Sequence, residues 1–177
     1  MTMHSSGDES RFPGCVSLGD AADFLDTVSE IIDDIPLFEG FERGELIGLI
    51  RHMRCYRAPA GREIISEDDP GEFMLLLLEG NIEIVRRSKK GELQRIGVAK
   101  PGETLGEMSL VDGEPRFASC LAIDTATFAV IDRDGLNNIF EDEPHLGIKF
   151  LSGLLCLLNR RLRDTGKQLV EALMRQN

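Results

Sequence analysis

Between Gly106 and Ser119 the sequence reads Gly-Glu-Met-Ser-Leu-Val-Asp-Gly-Glu-Pro-Arg-Phe-Ala-Ser, a short helical turn followed by an arginine. These residue types suit a small phosphate ester of a sugar. Gly106 has no Cβ, so a ligand can approach its backbone, and the amides opening the turn point outward as an anion site. Arg116 adds a planar fork that can hold two phosphate oxygens at once, a geometry lysine does not reproduce. Glu107 needs a different role, because a carboxylate repels phosphate. It can accept a hydrogen bond from a ribose hydroxyl while pairing with a nearby cation. Taken singly, Gly106 reads better as an ordinary turn glycine, and Glu107 with Arg116 as a surface ion pair of little worth. Their order within a strand-rich region is what favours ligand binding.

Three kinds of element must position this segment. Residues 1–19 are rich in Ser, Gly and charge without apolar periodicity and are expected to stay mobile. A domain spanning residues 20–177 follows. It opens on an amphipathic helix predicted from Asp20, carrying Phe24, Leu25, Val28, Ile31, Ile32 and Ile35 at helical spacing up to Pro36. A second short helical pattern runs through Leu46, Ile47, Leu49 and Ile50. From Cys55 to Asp132 short apolar runs alternate with turn signals such as Ala60-Gly61, Asp69-Pro70-Gly71, Glu79-Gly80-Asn81 and Lys100-Pro101-Gly102. That spacing predicts a β barrel or jelly roll. After Asp134 the pattern is helical to the end, broken at Pro144. The fold expected is α+β, mainly a β jelly-roll barrel flanked by N-terminal helices and a long C-terminal helix.

Composition narrows the chemistry. Twenty basic residues against thirty-one acidic ones give a formal net charge of -11, which disfavours long polyanionic partners but admits a small anion. The longest apolar run, Met74 to Leu78, is far too short to cross a bilayer, and no secretory signal is legible, so a cytoplasmic location without membrane contact is expected. Cys15, Cys55, Cys120 and Cys156 lie far apart, as do His4, His52 and His145. Neither set has metal-ligand or redox-motif spacing, and no nucleophile, base and metal converge. No metal is expected, and the chain reads as a binding module rather than an enzyme.

The segment resembles the cyclic-nucleotide-binding domain family, shared by catabolite-activator-like regulators, protein kinase regulatory subunits and nucleotide-gated channels. Gly106-Glu107 match the pair that opens that family's phosphate-binding turn, and Pro115-Arg116-Phe117-Ala118 match the segment that closes it. The likeness runs from about Ile35 to Thr165 and takes in Gly61 with Ile64 and Ile65, the Phe73-to-Gly80 strand, and Pro101-Gly102-Glu103. The resemblance implies a ligand site of Gly106, Glu107, Met108, Arg116, Phe117 and Ala118, with Glu107 on the ribose 2′-hydroxyl and Arg116 with the Phe117 amide on the cyclic phosphate. Ile96 and Gly97 would border the base. Phe117 stands where the family has a small residue, and Gly97 where it has a polar base contact. The implied ligand is cAMP rather than cGMP. The alternative is a fold of this family that binds no ligand and serves as a protein-interaction module.

Leu151, Leu155, Leu158, Leu162, Thr165, Leu169 and Ala172 alternate four and three residues apart, the seam of a heptad repeat. A second stripe, Phe150, Leu154 and Leu157, can pack on the barrel while the seam meets its copy in a homodimer through residues 151–172. Packing of both stripes within one chain is the plainer alternative. Asn159 to Thr165 also resembles the dimer helix of catabolite-activator-like proteins, which implies that Thr165 contacts the adenine and that Arg161 approaches Glu107. Such proteins usually continue into a helix-turn-helix, whereas this sequence ends at Asn177 just past the helix. Arg160, Arg161 and Arg163 read as a solvated face. No direct DNA binding is expected, and an unknown downstream protein would receive the signal.

Overall fold

The computed structural model describes residues 11–24 and 35–175. Among the described residues nine strands form two antiparallel sheets. The strands are β1 (Val16–Asp20), β2 (Arg54–Ala58), β3 (Glu63–Ile65), β4 (Phe73–Glu79), β5 (Ile82–Arg87), β6 (Leu93–Ala99), β7 (Thr104–Leu105), β8 (Ser119–Ala122) and β9 (Ala126–Asp132). One sheet has the order β1-β2-β9-β4-β7 and the other β3-β8-β5-β6. The expected jelly roll is therefore present, with helices on one side of it.

The apolar run of β4 shows how the layers are assembled. Side chains alternate across a strand, and here both faces are covered. Leu75 and Leu77 enter the core between the sheets with Ile65, Ile82, Cys120 and Phe128. Met74, Leu76 and Leu78 enter a second core formed with the helices. A strand buried on both faces reads as a continuous apolar run rather than as an alternation.

Helix α1 (Arg43–Ile50) starts at a reciprocal cap, with the Glu42 amide donating to Glu45 Oε2 at 2.7 Å. Helix α2 (Glu107–Asp112) lies within the cassette, the segment from Gly106 to Ser119. Helix α3 (Arg133–Asp142) is capped by Asp132, whose Oδ1 accepts from the Gly135 amide at 2.7 Å. Helix α4 (Pro144–Met174) begins with its proline in the first turn, where the missing N–H has no cost. Phe150, Leu154 and Leu157 are the buried face of α4, as the second stripe predicts.

The N-terminal expectation needs correction. Val16 to Asp20, assigned from sequence to a mobile segment and a helix cap, form β1 against β2, with Val16 opposite Arg57 and Asp20 opposite Arg54. The anchor is Phe12, buried among the rings of Tyr56, Phe73 and Phe128 at 4.7, 5.0 and 5.6 Å. An edge strand that is mostly half-exposed carries no strong apolar alternation, so its pattern was weak. Ala21 to Phe24 form a single 3-10 turn, as do Pro36 to Phe38. The remainder of the helix predicted from Asp20, and residues 1–10, lie outside the described residues.

Candidate functional site

The cassette is a departure from the sheet. β7 ends at Leu105, and Gly106 then turns the chain with φ +83°, a conformation that L side chains rarely adopt. A Cβ on Gly106 would also lie 2.5 Å from Arg116 Nη1. Glycine is thus required twice, for the turn and for the close approach. Six residues of α2 follow, closed by Gly113 at φ +73°. The chain returns through Pro115 and Arg116 to β8.

Arg116 is 3 % exposed. Its Nη1 donates to the Gly106 carbonyl and its Nη2 to the Phe73 carbonyl, both at 2.8 Å. The guanidinium also lies over the Phe73 ring, 4.3 Å from its centroid. Its own amide donates to the Asp69 carbonyl, and its carbonyl accepts from the Asp68 amide, each at 2.9 Å. Burial lowers the tendency of this guanidinium to hold its proton, and the Cys120 and Glu107 side chains oppose that loss.

Glu107 is 2 % exposed, at the head of α2. Oε1 accepts from Thr104 Oγ1 at 3.1 Å and from Arg161 Nη1. Nη2 of Arg161 donates to the Thr104 carbonyl at 2.8 Å. Arg161 therefore ties the middle of α4 to both the strand before the cassette and the carboxylate within it. Burial pushes the Glu107 pKa up, while Arg161, its hydrogen bonds and Arg116 pull it down without cancelling the shift. The Cys120 thiol on β8 is likewise pushed up, to about 12, mainly by burial.

The candidate residues divide into two groups. Arg116 with Gly106 and Arg161 with Glu107 form two hydrogen-bonded pairs on adjacent residues of one turn, and Ala118 is buried two residues past Arg116. Met108 and Ile96 are exposed, and Gly97 lies opposite Ile84 on the edge strand β6. Phe117 is exposed, with the Arg86 guanidinium 3.9 Å from its ring centroid. Thr165 is exposed on α4, one turn beyond Arg161. Among the described residues no group of three or more His, Cys, Asp and Glu side chains could hold a metal, and no helix is long and apolar enough to cross a membrane.

Three contributors were not read from the sequence. Gly71 stood out only as a turn residue, yet a Cβ there would lie 2.3 Å from Ser109 Cβ and 2.7 Å from Arg116 Nε. It makes room for the arginine to cross. Phe73 supplies the ring and carbonyl that hold Arg116, and Thr104 the hydroxyl and carbonyl between Glu107 and Arg161. Nothing local marks such roles, since each depends on contact with a residue distant in sequence.

Comparison with known proteins agrees with this geometry. The model of the cyclic nucleotide-binding domain family matches residues 56–143. The crystal structure of a cyclic nucleotide-binding domain from Methylobacillus flagellatus KT is 34% identical, covers 96% of each chain and superposes with a TM-score of 0.82. A CRP-like cAMP-activated global transcriptional regulator from Mycobacterium tuberculosis is 28% identical over 144 residues, 81% of this chain and 62% of the regulator. A cAMP-dependent protein kinase regulatory subunit from Aspergillus niger is 29% identical over 108 residues, 61% of this chain and 26% of the subunit. The chain thus spans less than two thirds of the length of these two relatives. With the jelly roll, the glycine-turned cassette and its buried carboxylate and arginine in place, the chain belongs to the cyclic nucleotide-binding domain family.

Proposed function

We propose that the chain is a regulatory module that binds cAMP at the cassette and transmits occupancy through α4. The observation that carries this reading is the half-buried Gly106 turn with Glu107 and Arg116 buried beside it, the carboxylate tied to α4 by Arg161. In this reading Glu107 accepts from the ribose 2′-hydroxyl, and Arg116 with the Phe117 amide takes the cyclic phosphate. Ile96 and Gly97 border the base, and Ala118 closes the wall. Ribose binding and Arg161 draw on the same carboxylate, so ligand changes the tie to α4. A ligand shifts a conformational equilibrium only through such differential interaction.

The seam of α4 supports a homodimer. Leu151, Leu155, Leu162 and Leu169 are exposed, while Leu158 is half-buried against the helical core. A partner α4 on this seam would bring Thr165 near a base, favouring adenine. The regulators and kinase subunits that the chain resembles are named for responding to cAMP, which supports the same ligand.

A second reading is favoured by Arg116 itself, whose two terminal nitrogens both donate to main-chain carbonyls. In that reading the arginine is a strut of a ligand-free interaction module. Calorimetry with cAMP and cGMP separates the two. Binding of cAMP, tighter than cGMP and accompanied by a rise in melting temperature, supports the sensor. No heat and no thermal shift with either nucleotide supports the strut.

A further inference from the structure

Phe117 is a large apolar side chain left 53 % exposed, next in sequence to the buried Arg116. Its surroundings hold it in that position. The Arg86 guanidinium lies 3.9 Å from the ring centroid, and Arg86 Nε is 3.4 Å from Glu67 Oε1. The other carboxylate oxygen of Glu67 accepts the Arg87 amide at 2.9 Å, and the Glu67 amide donates to Ser119 Oγ at 2.9 Å. Arg86 is thus paired with the carboxylate of Glu67, a residue tied to β5 through that carboxylate and to β8 through its main-chain amide. A cation held over a ring face is attracted to it, which favours this position of the ring.

The place of this ring in the sheet gives it a direction. β8, β5 and β6 are neighbours in that order, so Phe117 just before β8, Arg86 on β5 and Gly97 on β6 belong to successive segments of one sheet. In the nucleotide-binding reading, with sugar at Glu107 and phosphate at Arg116, the base would extend along this sheet. Gly97 offers it no side chain, and a Cβ there would touch only Ile84 Cδ1 at 3.6 Å. Recognition by hydrogen bonds to a side chain at that position is absent, whereas an open aromatic face is next to the phosphate arginine.

We propose that Phe117, braced by Arg86 and Glu67, is a platform on which the nucleotide base stacks, and that it sets a preference for purine over pyrimidine cyclic nucleotides. This rests on the nucleotide-binding reading above. A phenyl ring has no donor or acceptor, so it rewards overlap area, and a bicyclic purine offers more of it than a pyrimidine. Every base has a π-face and can stack, so the ring grades bases by overlap area and treats adenine and guanine alike.

Calorimetry of the wild type should show cAMP and cGMP each binding at least about tenfold more tightly than cCMP, the scale that one stacking contact supplies. Phe117→Ala should bring both purines to within about threefold of cCMP, while Phe117→Tyr keeps the gap. The chain contains no tryptophan, so Phe117→Trp introduces a single indole that can be excited selectively at wavelengths where Tyr56 does not absorb. Its emission should be quenched by cAMP more strongly than by cCMP at saturation. A purine-to-pyrimidine ratio unchanged by Phe117→Ala, or equal quenching by both, would overturn the platform and leave the cassette reading standing. A wild type that binds none of the three nucleotides would overturn both.

Discussion

Arg161 of α4 donates to the carboxylate of Glu107 at the head of α2, a pair 54 residues apart in sequence that spans the junction of helix and barrel. The same guanidinium reaches the Thr104 carbonyl, so one side chain fixes the helix to the strand before the cassette and to the cassette itself. Removing it leaves a buried carboxylate with only the Thr104 hydroxyl and its own amide. Arg161→Ala should lower stability by about 2 kcal/mol, below the range for a fully buried pair because Arg161 is partly solvated. Adding Glu107→Gln should restore part of that loss in a double-mutant cycle read by chemical denaturation. Full additivity of the two losses would show that the pair is not coupled.

Burial raises the Glu107 pKa above its ordinary value, and the sign of the stability effect follows. Between the unfolded and the higher folded pKa the native state binds more proton than the unfolded chain, so stability falls as pH rises through that window. Protonation on the acid side therefore favours the native state. The stability of the wild type relative to Glu107→Gln should decrease as pH rises from 4.5 upward and then level off. Urea midpoints collected across pH 4.5 to 8, about the range in which carboxylates of raised pKa titrate, check this.

Arg116 has a structural role besides the phosphate contact proposed for it. Its truncation strips hydrogen bonds from the Gly106 and Phe73 carbonyls and the cation from the Phe73 ring. Arg116→Ala should cost about 3 kcal/mol in the absence of nucleotide, and Arg116→Lys should not recover it because one ammonium lacks the fork that spans both carbonyls. Thermal unfolding without ligand measures the loss. An unchanged melting temperature would reduce the arginine to a pure ligand contact.

Two glycines of similar backbone angle separate strain from crowding. Gly61 has φ +77° with open space around it, while Gly106 has φ +83° with Arg116 Nη1 2.5 Å from where a Cβ would sit. Gly61→Ala should cost about 1 kcal/mol, the conformational term alone. Gly106→Ala should cost clearly more and also displace Arg116, weakening nucleotide binding. Equal losses, measured by denaturant midpoint, would mean that Arg116 moves aside freely.

The proposed dimer is tested on residues that the single chain does not need. Leu162, 70 % exposed, and Leu169 lie on the outer seam of α4, whereas Leu158 packs on the helical core. Light scattering should give a dimer that Leu162→Asp with Leu169→Asp converts to a folded monomer. Leu158→Asp is the poorer probe, because it also disturbs the fold.

What was legible in the sequence was local. The cassette, its arginine, the turn glycines, the buried stripe of α4 and the strand-rich centre were readable because backbone preference and side-chain periodicity are properties of neighbouring residues. The run Met74 to Leu78 was legible as too short to cross a bilayer, but not as a strand that serves two cores at once. Tertiary structure alone decided the rest. β1 exists because Phe12 inserts among three distant rings, although the strand itself has little apolar alternation. Gly71 is small because Arg116 must pass it, and Phe73 matters through a carbonyl and a ring face 43 positions away from that arginine. Contacts of that span depend on how sheets and helices close around one another, and no window of sequence contains both partners.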